Sequence, residues 1–350
     1  MGTEAGRIGT KAGRVGTRAG RLRRWAPPRL RGGRRAAPSP RAVASRDAVL
    51  IAVPVLLACL LVFHSAVPDT AGHLGSLLET FLPWLAAAFP VLLVPALLRR
   101  SPAAASAALL PVVVWACVFG GLLLPPSGSA PDDLTVVQHN ISDVNPDPGR
   151  AARELAASGA GLVALQEVTE AALPDLTAAL APRHPHHAVV GTVGLWSAYP
   201  LTDVRRVDIR PQGIAEGWER GLRATVRLPG QGDVAVYVVH LPSVRLGWDR
   251  GFASAHRDES AHLLGAALAA ERLERIVLLG DLNGTVEDRG LDPVLARLGP
   301  PRSGMAFSWP ASFPVARIDQ ILARDATVVE VRSLPATGSD HLPVAARIAF

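Results

Sequence analysis

The chain has 350 residues, a net charge of +6, 49% hydrophobic residues and only two cysteines, Cys59 and Cys117, both inside apolar runs. That cysteine usage excludes a disulfide framework or a Cys-based zinc site in the C-terminal part, whose stability must come from a hydrophobic core. The positive average is also misleading, because residues 1–47 carry twelve Arg and one Lys against Glu4 and Asp47, whereas residues 132–350 carry 21 Arg against 26 Asp and Glu; a net acidic part offers no general footprint for a polyanion and argues against tight non-specific nucleic-acid binding.

The N-terminus repeats with period seven over 2–8, 9–15 and 16–22, each copy holding two glycines. Glycine costs a helix about 1 kcal/mol per residue, so residues 1–47 read as a disordered basic arm. The arm serves either as a topology signal or as a contact to anionic lipid head groups through Arg21, Arg23, Arg24, Arg29, Arg31, Arg34, Arg35 and Arg41. A twin-arginine export signal at Arg23–Arg24 is disfavoured because the next apolar run starts too far downstream.

Apolar segments follow at 48–64, 81–98 and 103–124, each close to the roughly 20 residues needed to cross a bilayer. Pro54, Pro83, Pro90, Pro95 and Pro111 suit kinked membrane helices better than buried soluble ones. A cleaved signal peptide at 48–64 leaves the other two segments unexplained. Arginines precede the first segment, are missing from the 65–80 loop, and return as Arg99–Arg100 between segments two and three. The positive-inside rule then puts the N-terminus in the cytoplasm and delivers the chain after a linker at 125–132 to the outer face of the cell membrane. Residues 48–124 are thus expected to form a three-helix anchor and 133–350 an external domain.

From Asp133 the pattern becomes α/β. Strand-like runs lie at 134–138, 161–165, 188–196, 223–228, 233–239, 275–279, 318–323 and 343–349, with helical patterns at 148–158, 169–181, 256–273 and 291–298. Adjacent strands without an intervening helix, as over 223–239, imply antiparallel pairs. The expected architecture is two mixed β-sheets facing each other with helices outside.

Polar residues cluster at the ends of these runs. Glu167 follows Gly161–Leu165 and Gln166, a position where a carboxylate is an apt ligand for Mg²⁺ or Mn²⁺, although a strand-end Glu taken alone is commonly a solvated rim residue. Asn140 closes the first strand as either a turn former or a phosphate donor. Asp281 and Asn283 flank Leu282 after Ile276–Leu279, which sets an acceptor and an amide donor on one face, though such a run also makes a tight turn. His240 ends a Val-rich strand, where a lone His is more often structural. Asp340–His341 lies near the C-terminus, and Asp319 is a second acid suited to fix the His341 tautomer. A hydroxyl nucleophile at Ser197 is disfavoured for want of a His in hydrolase-triad order. His184, His186 and His187 read as a solvated loop before a metal site, and Trp218, Trp248 and the Arg-rich stretch 205–210 as loops over the mouth of the site.

Taken in order, Gln138-His139-Asn140, Leu165-Gln166-Glu167, Val239-His240-Leu241, Gly280-Asp281-Leu282-Asn283, Arg317-Ile318-Asp319 and Ser339-Asp340-His341-Leu342-Pro343 resemble the motifs of the endonuclease/exonuclease/phosphatase superfamily, over about residues 133–350. The resemblance implies a DNase I-like four-layer α/β sandwich of two mixed β-sheets, here preceded by three transmembrane helices. It implies a Mg²⁺ (or Mn²⁺) ion bound by Glu167, with Asp340 as a further ligand or metal-site acid. It also implies that Asn140 supports the metal site and contacts phosphate, that Asp281 orients or deprotonates water, and that Asn283 stabilises the pentavalent phosphorus. His341 paired with Asp319 is implied as base or transition-state donor, and His240 as the second histidine of the DNase I-like branch. Two departures bear on substrate class: Ala198 stands after Ser197 where many relatives have Arg, and Val238–Val239 precede His240 where Asn-Thr is usual. A basic arm, three spans and an external phosphohydrolase domain are similar to the VanJ-type glycopeptide-resistance proteins, which implies a lipid-linked substrate such as undecaprenyl pyrophosphate and an effect on antibiotic tolerance. A membrane-tethered nuclease acting on nucleic acid is the alternative, and a catalytically silent scaffold a third.

Overall fold

The computed structural model describes residues 40–70, 72–125, 134–247 and 251–350, with side chains from Ala48 onward. The heptads of the basic arm, nearly all of the 125–132 linker and Trp248 lie outside the described residues. The apolar segments fold as α1 (Pro40–Val62), α2 (Leu74–Thr80), a 3-10 stretch (Leu82–Ala87), α3 (Ala88–Leu98) and α4 (Pro102–Phe119), which continues as a 3-10 turn to Leu123. Ser101 caps α4 by accepting from the Ala104 N–H, and Pro102 occupies the first turn, where no amide proton is needed. Pro102–Leu123 is, among the described residues, the one helix long and apolar enough to cross a bilayer alone, with mean hydropathy 2.1; Leu74–Thr80 with Leu82–Leu98 reaches that length only as a pair bent by 69°, and Ala48–Val62 is shorter. α3 and α4 pack as a hairpin turned at Arg99–Arg100–Ser101.

The α/β part runs β1 (Leu134–Asn140), α5 (Pro148–Ala157), β2 (Leu162–Gln166), α6 (Leu173–Leu180), β3 (His186–Val190), β4 (Val193–Ser197), β5 (Leu201–Arg206), β6 (Gly221–Leu228), β7 (Gly232–His240), β8 (Leu246–Gly247), β9 (Gly251–Phe252), α7 (Ala255–Ala269), β10 (Ile276–Asp281), α8 (Asp292–Leu295), β11 (Asp319–Arg324), β12 (Thr327–Ser333) and β13 (Val344–Ala349). Two large mixed sheets result, ordered β12-β13-β1-β2-β4-β3 and β11-β10-β7-β6-β5.

These strands read as continuous apolar runs because both of their faces are buried. In β7, Val234, Val236 and Val238 point into the core between the sheets, while Ala235, Tyr237 and Val239 point out under α7 and α8. In β10 the same alternation puts Val277 and Leu279 inward and Ile276 and Leu278 outward. The other sheet repeats the scheme, with Val136, Leu162 and Ala164 inside and Val137, Val163 and Leu165 under α5 and α6. The layers are therefore helices, sheet, sheet, helices, as the apolar periodicity and adjacent antiparallel runs required.

Three local expectations are corrected. The run at 188–196 is not one strand but the hairpin β3–β4, broken at Gly191, whose φ is +54° and whose missing Cβ leaves room for the Glu219 carbonyl. The Arg-rich stretch 205–210 is a loop only from Val207 onward: Leu201–Arg206 is an edge strand paired with β6, with Arg205 reaching Glu271 at 3.6 Å. The helix read over 291–298 is a single α-helical turn after a 3-10 turn at Arg289–Leu291. β12 escaped notice because its outer residues Glu330 and Arg332 break the apolar pattern of an edge strand.

A buried ion network closes the outer face of the second sheet. Arg223, 3% exposed in its side chain, donates from Nε to Glu271 Oε2 at 3.0 Å, and Tyr237 donates its hydroxyl to the same oxygen at 2.9 Å. Burial alone would raise the Glu271 carboxyl, but Arg223, the Leu273 amide and Tyr237 bring it down to about 2. Glu271→Gln removes one of the two carboxylates that answer Arg223, the other being Asp203 at 2.6 Å, and is expected to cost about 2 kcal/mol in urea unfolding. Because the folded carboxyl lies below its ordinary 4.5, that contribution is complete above pH 4.5 and is lost as pH falls through about 2. The stability gap between wild type and variant should therefore close over that acid window.

Candidate active site

Strand register brings the polar residues to one rim. β7 and β10 are parallel with His240 opposite Asp281, and β10 and β11 are antiparallel with Asp281 opposite Asp319, so three ionisable groups sit side by side across one sheet. In the facing sheet Asn140 ends β1 opposite Gln166, and Glu167 follows immediately. His341 arrives from the segment before β13, where Ser339 Oγ donates to the Asn140 carbonyl at 2.7 Å and accepts the His341 N–H at 3.0 Å. Glu167 and Asn283 have φ of +59° and +49°, left-handed backbone that non-glycine residues adopt at a cost and that concentrates at functional sites.

Asp281 is the centre. Its Oδ1 accepts the Asn283 N–H at 3.0 Å, and its Oδ2 accepts from Asn140 Nδ2 at 3.1 Å. The same Oδ2 faces His240 Nε2 at 3.6 Å and His341 Nε2 at 3.8 Å. Asn140 Nδ2 also donates to Glu167 Oε1 at 3.1 Å, so one amide holds two carboxylates together. Behind His341, Nδ1 donates to Asp319 Oδ2 at 2.8 Å, and the other Asp319 oxygen accepts from Gln138 Nε2.

The charges follow from this arrangement. Burial would lower the His341 pKa, but the Asp319 and Asp281 carboxylates reverse it and lift it to about 10. Asp319 is held low despite its burial by the His341 imidazolium, whereas burial, with Asp319 adding to it, raises Asp281. His240 is kept neutral by burial and by Arg220, whose guanidinium lies 3.2 Å from Nδ1. An Nδ1 that accepts from Arg220 leaves the ring proton on Nε2, facing Asp281. His139, below the site with Nε2 2.8 Å from Thr337 Oγ1, is neutral with its pKa pushed down to about 3 by burial.

A cavity of about 330 Å³ opens on this cluster, lined by Asn140, Glu167, Asp281, Asn283, Asp340 and His341 on its polar side. Side-chain donors of Asp281, Asp319 and His341 approach within 4.8 Å of one another, a spacing compatible with a metal. Asp319 and His341 already satisfy each other, however, so the carboxylates that line the cavity are those of Glu167, Asp281 and the exposed Asp340. Two carboxylates converging on a single amide are a hard donor set that suits Mg²⁺ or Mn²⁺.

The structure thus brings together Asn140, Glu167, His240, Asp281, Asn283 and His341, with Asp319 behind His341 and out of the cavity. Asp340 lines the cavity but is exposed and outside the close donor cluster. Asn283 spends one amide bond on the Leu241 carbonyl at 3.0 Å while still lining the cavity. Ser197 is engaged in a turn with Tyr199, and His184 is a buried residue bonded to the Ala160 carbonyl rather than part of a loop cluster. Arg220 went unremarked in the sequence. It precedes β6, stacks 5.2 Å over Trp218, and brings a guanidinium to the site from a strand other than the one where Ala198 replaces the expected Arg. Its signal was register: Gly221 pairs with Val239, which sets Arg220 beside His240.

A family model described as Endonuclease/Exonuclease/phosphatase family matches residues 121–341. Among solved structures, an endonuclease/exonuclease/phosphatase family protein from Bacteroides thetaiotaomicron is similar with TM-score 0.51 and 19% identity, covering 64% of this chain and 97% of that one. A mannosyl-6-phosphatase from the same species gives TM-score 0.50 and 19% identity over 62% and 100% of the two chains. Sphingomyelinase C from Streptomyces griseocarneus gives 0.46 and 22% over 61% and 99%. No curated protein matches the chain in sequence.

The His341–Asp319 geometry predicts an imidazolium at neutral pH. In metal-free protein labelled at histidine nitrogen, His341 should show both ring nitrogens protonated until pH approaches about 10. A pKa raised in the folded state adds stability that is complete below the ordinary 6.5 and is lost as pH rises through about 10. Asp319→Asn removes the largest opposing charge and should bring the titration well below 10.

Proposed function

Because the chain belongs to the endonuclease/exonuclease/phosphatase family, we propose that it is a Mg²⁺-dependent phosphohydrolase working at the outer face of the cell membrane on a lipid-linked pyrophosphate such as undecaprenyl pyrophosphate. The observation that carries the chemistry is the convergence of Glu167, Asn140, Asp281 and the His341–Asp319 pair on one cavity. Water positioned by Asp281 attacks phosphorus, a P–O bond to the leaving phosphate breaks, and the water proton passes to the raised-pKa Asp281 carboxylate. His341, protonated by virtue of Asp319, donates to a phosphoryl oxygen, and the Asn140 and Asn283 amides add neutral donors where charge accumulates. Arg220 fixes His240 so that Nε2–H faces the same centre. Glu167 would hold the divalent ion, which would supply positive charge to the phosphoryl oxygens when bound, leaving Asp281 to take the water proton.

Membrane attachment is supported by the surface of the N-terminal helices. Leu56, Val91, Leu98 and Val113 are 66%, 69%, 79% and 58% exposed, far more apolar surface than a helix in water presents without a partner. Contacts to the α/β part are made near the C-terminal ends of α1 and α4, through the carbonyls of His64, Val67, Leu122 and Leu124. The Arg99–Arg100 turn belongs to the opposite end of the α3–α4 hairpin. Read by the positive-inside bias, arginines at that turn favour its cytoplasmic location and so support an α/β part on the outer face. A similar plan in VanJ-type resistance proteins is the ground for naming a cell-wall carrier lipid and for expecting altered tolerance to glycopeptide antibiotics.

Detergent-solubilised protein with Mg²⁺ should release phosphate from undecaprenyl pyrophosphate and lose that activity with a chelator. His341→Gln or Asp281→Asn should lower kcat by about 10²–10⁴-fold. Degradation of DNA without phosphate release from the carrier lipid would overturn the substrate assignment in favour of a tethered nuclease. Separately, an enzyme reporter fused after Phe350 should be active outside the cytoplasm; activity confined to the cytoplasm refutes the topology.

A further inference from the structure

The catalytic cavity is not built by the α/β part alone. Thr80 and Phe81, at the bend between α2 and the 3-10 stretch that leads into α3, line it together with the carboxylates. The apolar lining beside Phe81 is Val244 just before β8, Leu246 and Phe252 of the β8–β9 pair, and Trp309 and Ile318 from the segment before β11. The cavity thus joins the polar cluster to an apolar stretch of wall that Thr80, Ser243 and Arg245 border.

The segment bearing Phe81 is fixed there rather than resting there. Glu79, fully buried, accepts from Arg289 Nε at 2.9 Å and from its NH2 at 2.8 Å, and His64 Nδ1 lies 2.9 Å from the same carboxylate. Ser76 donates to buried Asp288 at 2.6 Å, and Arg257 bonds both at 3.0 and 2.8 Å. The Phe252 N–H donates to the Gly72 carbonyl at 2.8 Å, tying β9 to the turn before α2. On the far side Trp84 donates to the Val315 carbonyl at 2.7 Å and stacks on Phe307, which fastens the loop that carries Trp309. Past Phe81 the chain runs into α3, whose outer side chains Val91, Val94, Leu97 and Leu98 are exposed and apolar.

We propose that the N-terminal helical segment completes the active site, with Phe81, Val244, Leu246, Phe252, Trp309 and Ile318 forming a subsite for the hydrocarbon chain of an amphiphilic diphosphate whose phosphates sit at Glu167 and Asp281. The proposal rests on the lipid-diphosphate reading above and specifies where that substrate's chain lies. The occupant is argued from continuity: a chain leaving the phosphate site along this wall passes onto the apolar surface of α3 instead of into water. A soluble nucleotide or sugar diphosphate places polar groups against the same wall and is selected against.

The full-length protein in detergent tests this by binding, without turnover. Two non-hydrolysable probes are compared in the presence of Mg²⁺, farnesyl methylenediphosphonate and methylenediphosphonate itself. Wild type should prefer the farnesyl probe by at least roughly tenfold, as burial of even a few methylenes requires. Phe81→Ser, and independently Leu246→Ser at an exposed position that the fold does not depend on, should each erase most of that preference, and Phe81→Leu should retain most of it. Equal binding of both probes by wild type, or an undiminished preference in both serine variants, overturns the subsite. Preferential farnesyl binding with no hydrolysis of undecaprenyl or farnesyl diphosphate upholds the subsite and overturns the hydrolase reading instead.

Discussion

The site depends on burying one carboxylate, Asp281, at the seam of two sheets. A buried carboxylate is costly unless its oxygens are satisfied, and here every partner comes from a different place in the chain: Asn140 from the end of β1, the Asn283 amide after β10, His240 from β7 and His341 from the turn before β13. Satisfying Asp281 therefore fixes the relative position of the two sheets at that rim. It also couples the protonation states, since the Asp319 and Asp281 charges keep His341 protonated and the proximity of Asp319 disfavours a charge on Asp281. An acid in a raised state beside a protonated base gives the site both a proton acceptor and a proton donor at neutral pH.

The same logic recurs at the junction with the N-terminal helices. Glu79 and Asp288 are fully buried and each is answered by an arginine, Arg289 and Arg257, the second also buried. Such pairs contribute little net stability against apolar alternatives, yet removing one member strands the other, so they specify one docking arrangement. That arrangement is what sets Phe81 over the cavity and Trp84 on Phe307. The helical segment and the α/β part are in this sense one unit, from Ala44 onward a single compact body.

Reading the strands from apolar runs worked for central strands and for the apolar edge strand β11, and failed at edges that carry charges and at turns. β1, β2, β7 and β10 were legible because burial on both faces leaves unbroken Val, Ile and Leu, whereas β5 and β12 carry exposed charges and resemble loops. The β3–β4 hairpin was missed because its turn is only Gly191–Thr192 between two apolar stretches. For the site, the residue types and their positions at strand ends were visible, and the pairing of His341 with Asp319 was anticipated from the need for a second acid. Arg220 was invisible, because nothing local distinguishes it from other surface arginines until β6 pairs with β7.

Composition and spacing alone carry the segregation of basic arm, apolar segments and α/β domain, the sheet-forming periodicity, and the inventory of acids, amides and imidazoles at the strand ends. These are local properties, written in composition and spacing. Only the tertiary structure decided that Asp281 sits between two histidines, that Asn140 bridges two carboxylates, and that Phe81 from the helical segment lines the same cavity. Contacts of that kind join residues up to some two hundred positions apart, and their geometry is set by strand register and buried charge pairing, which no window of sequence contains.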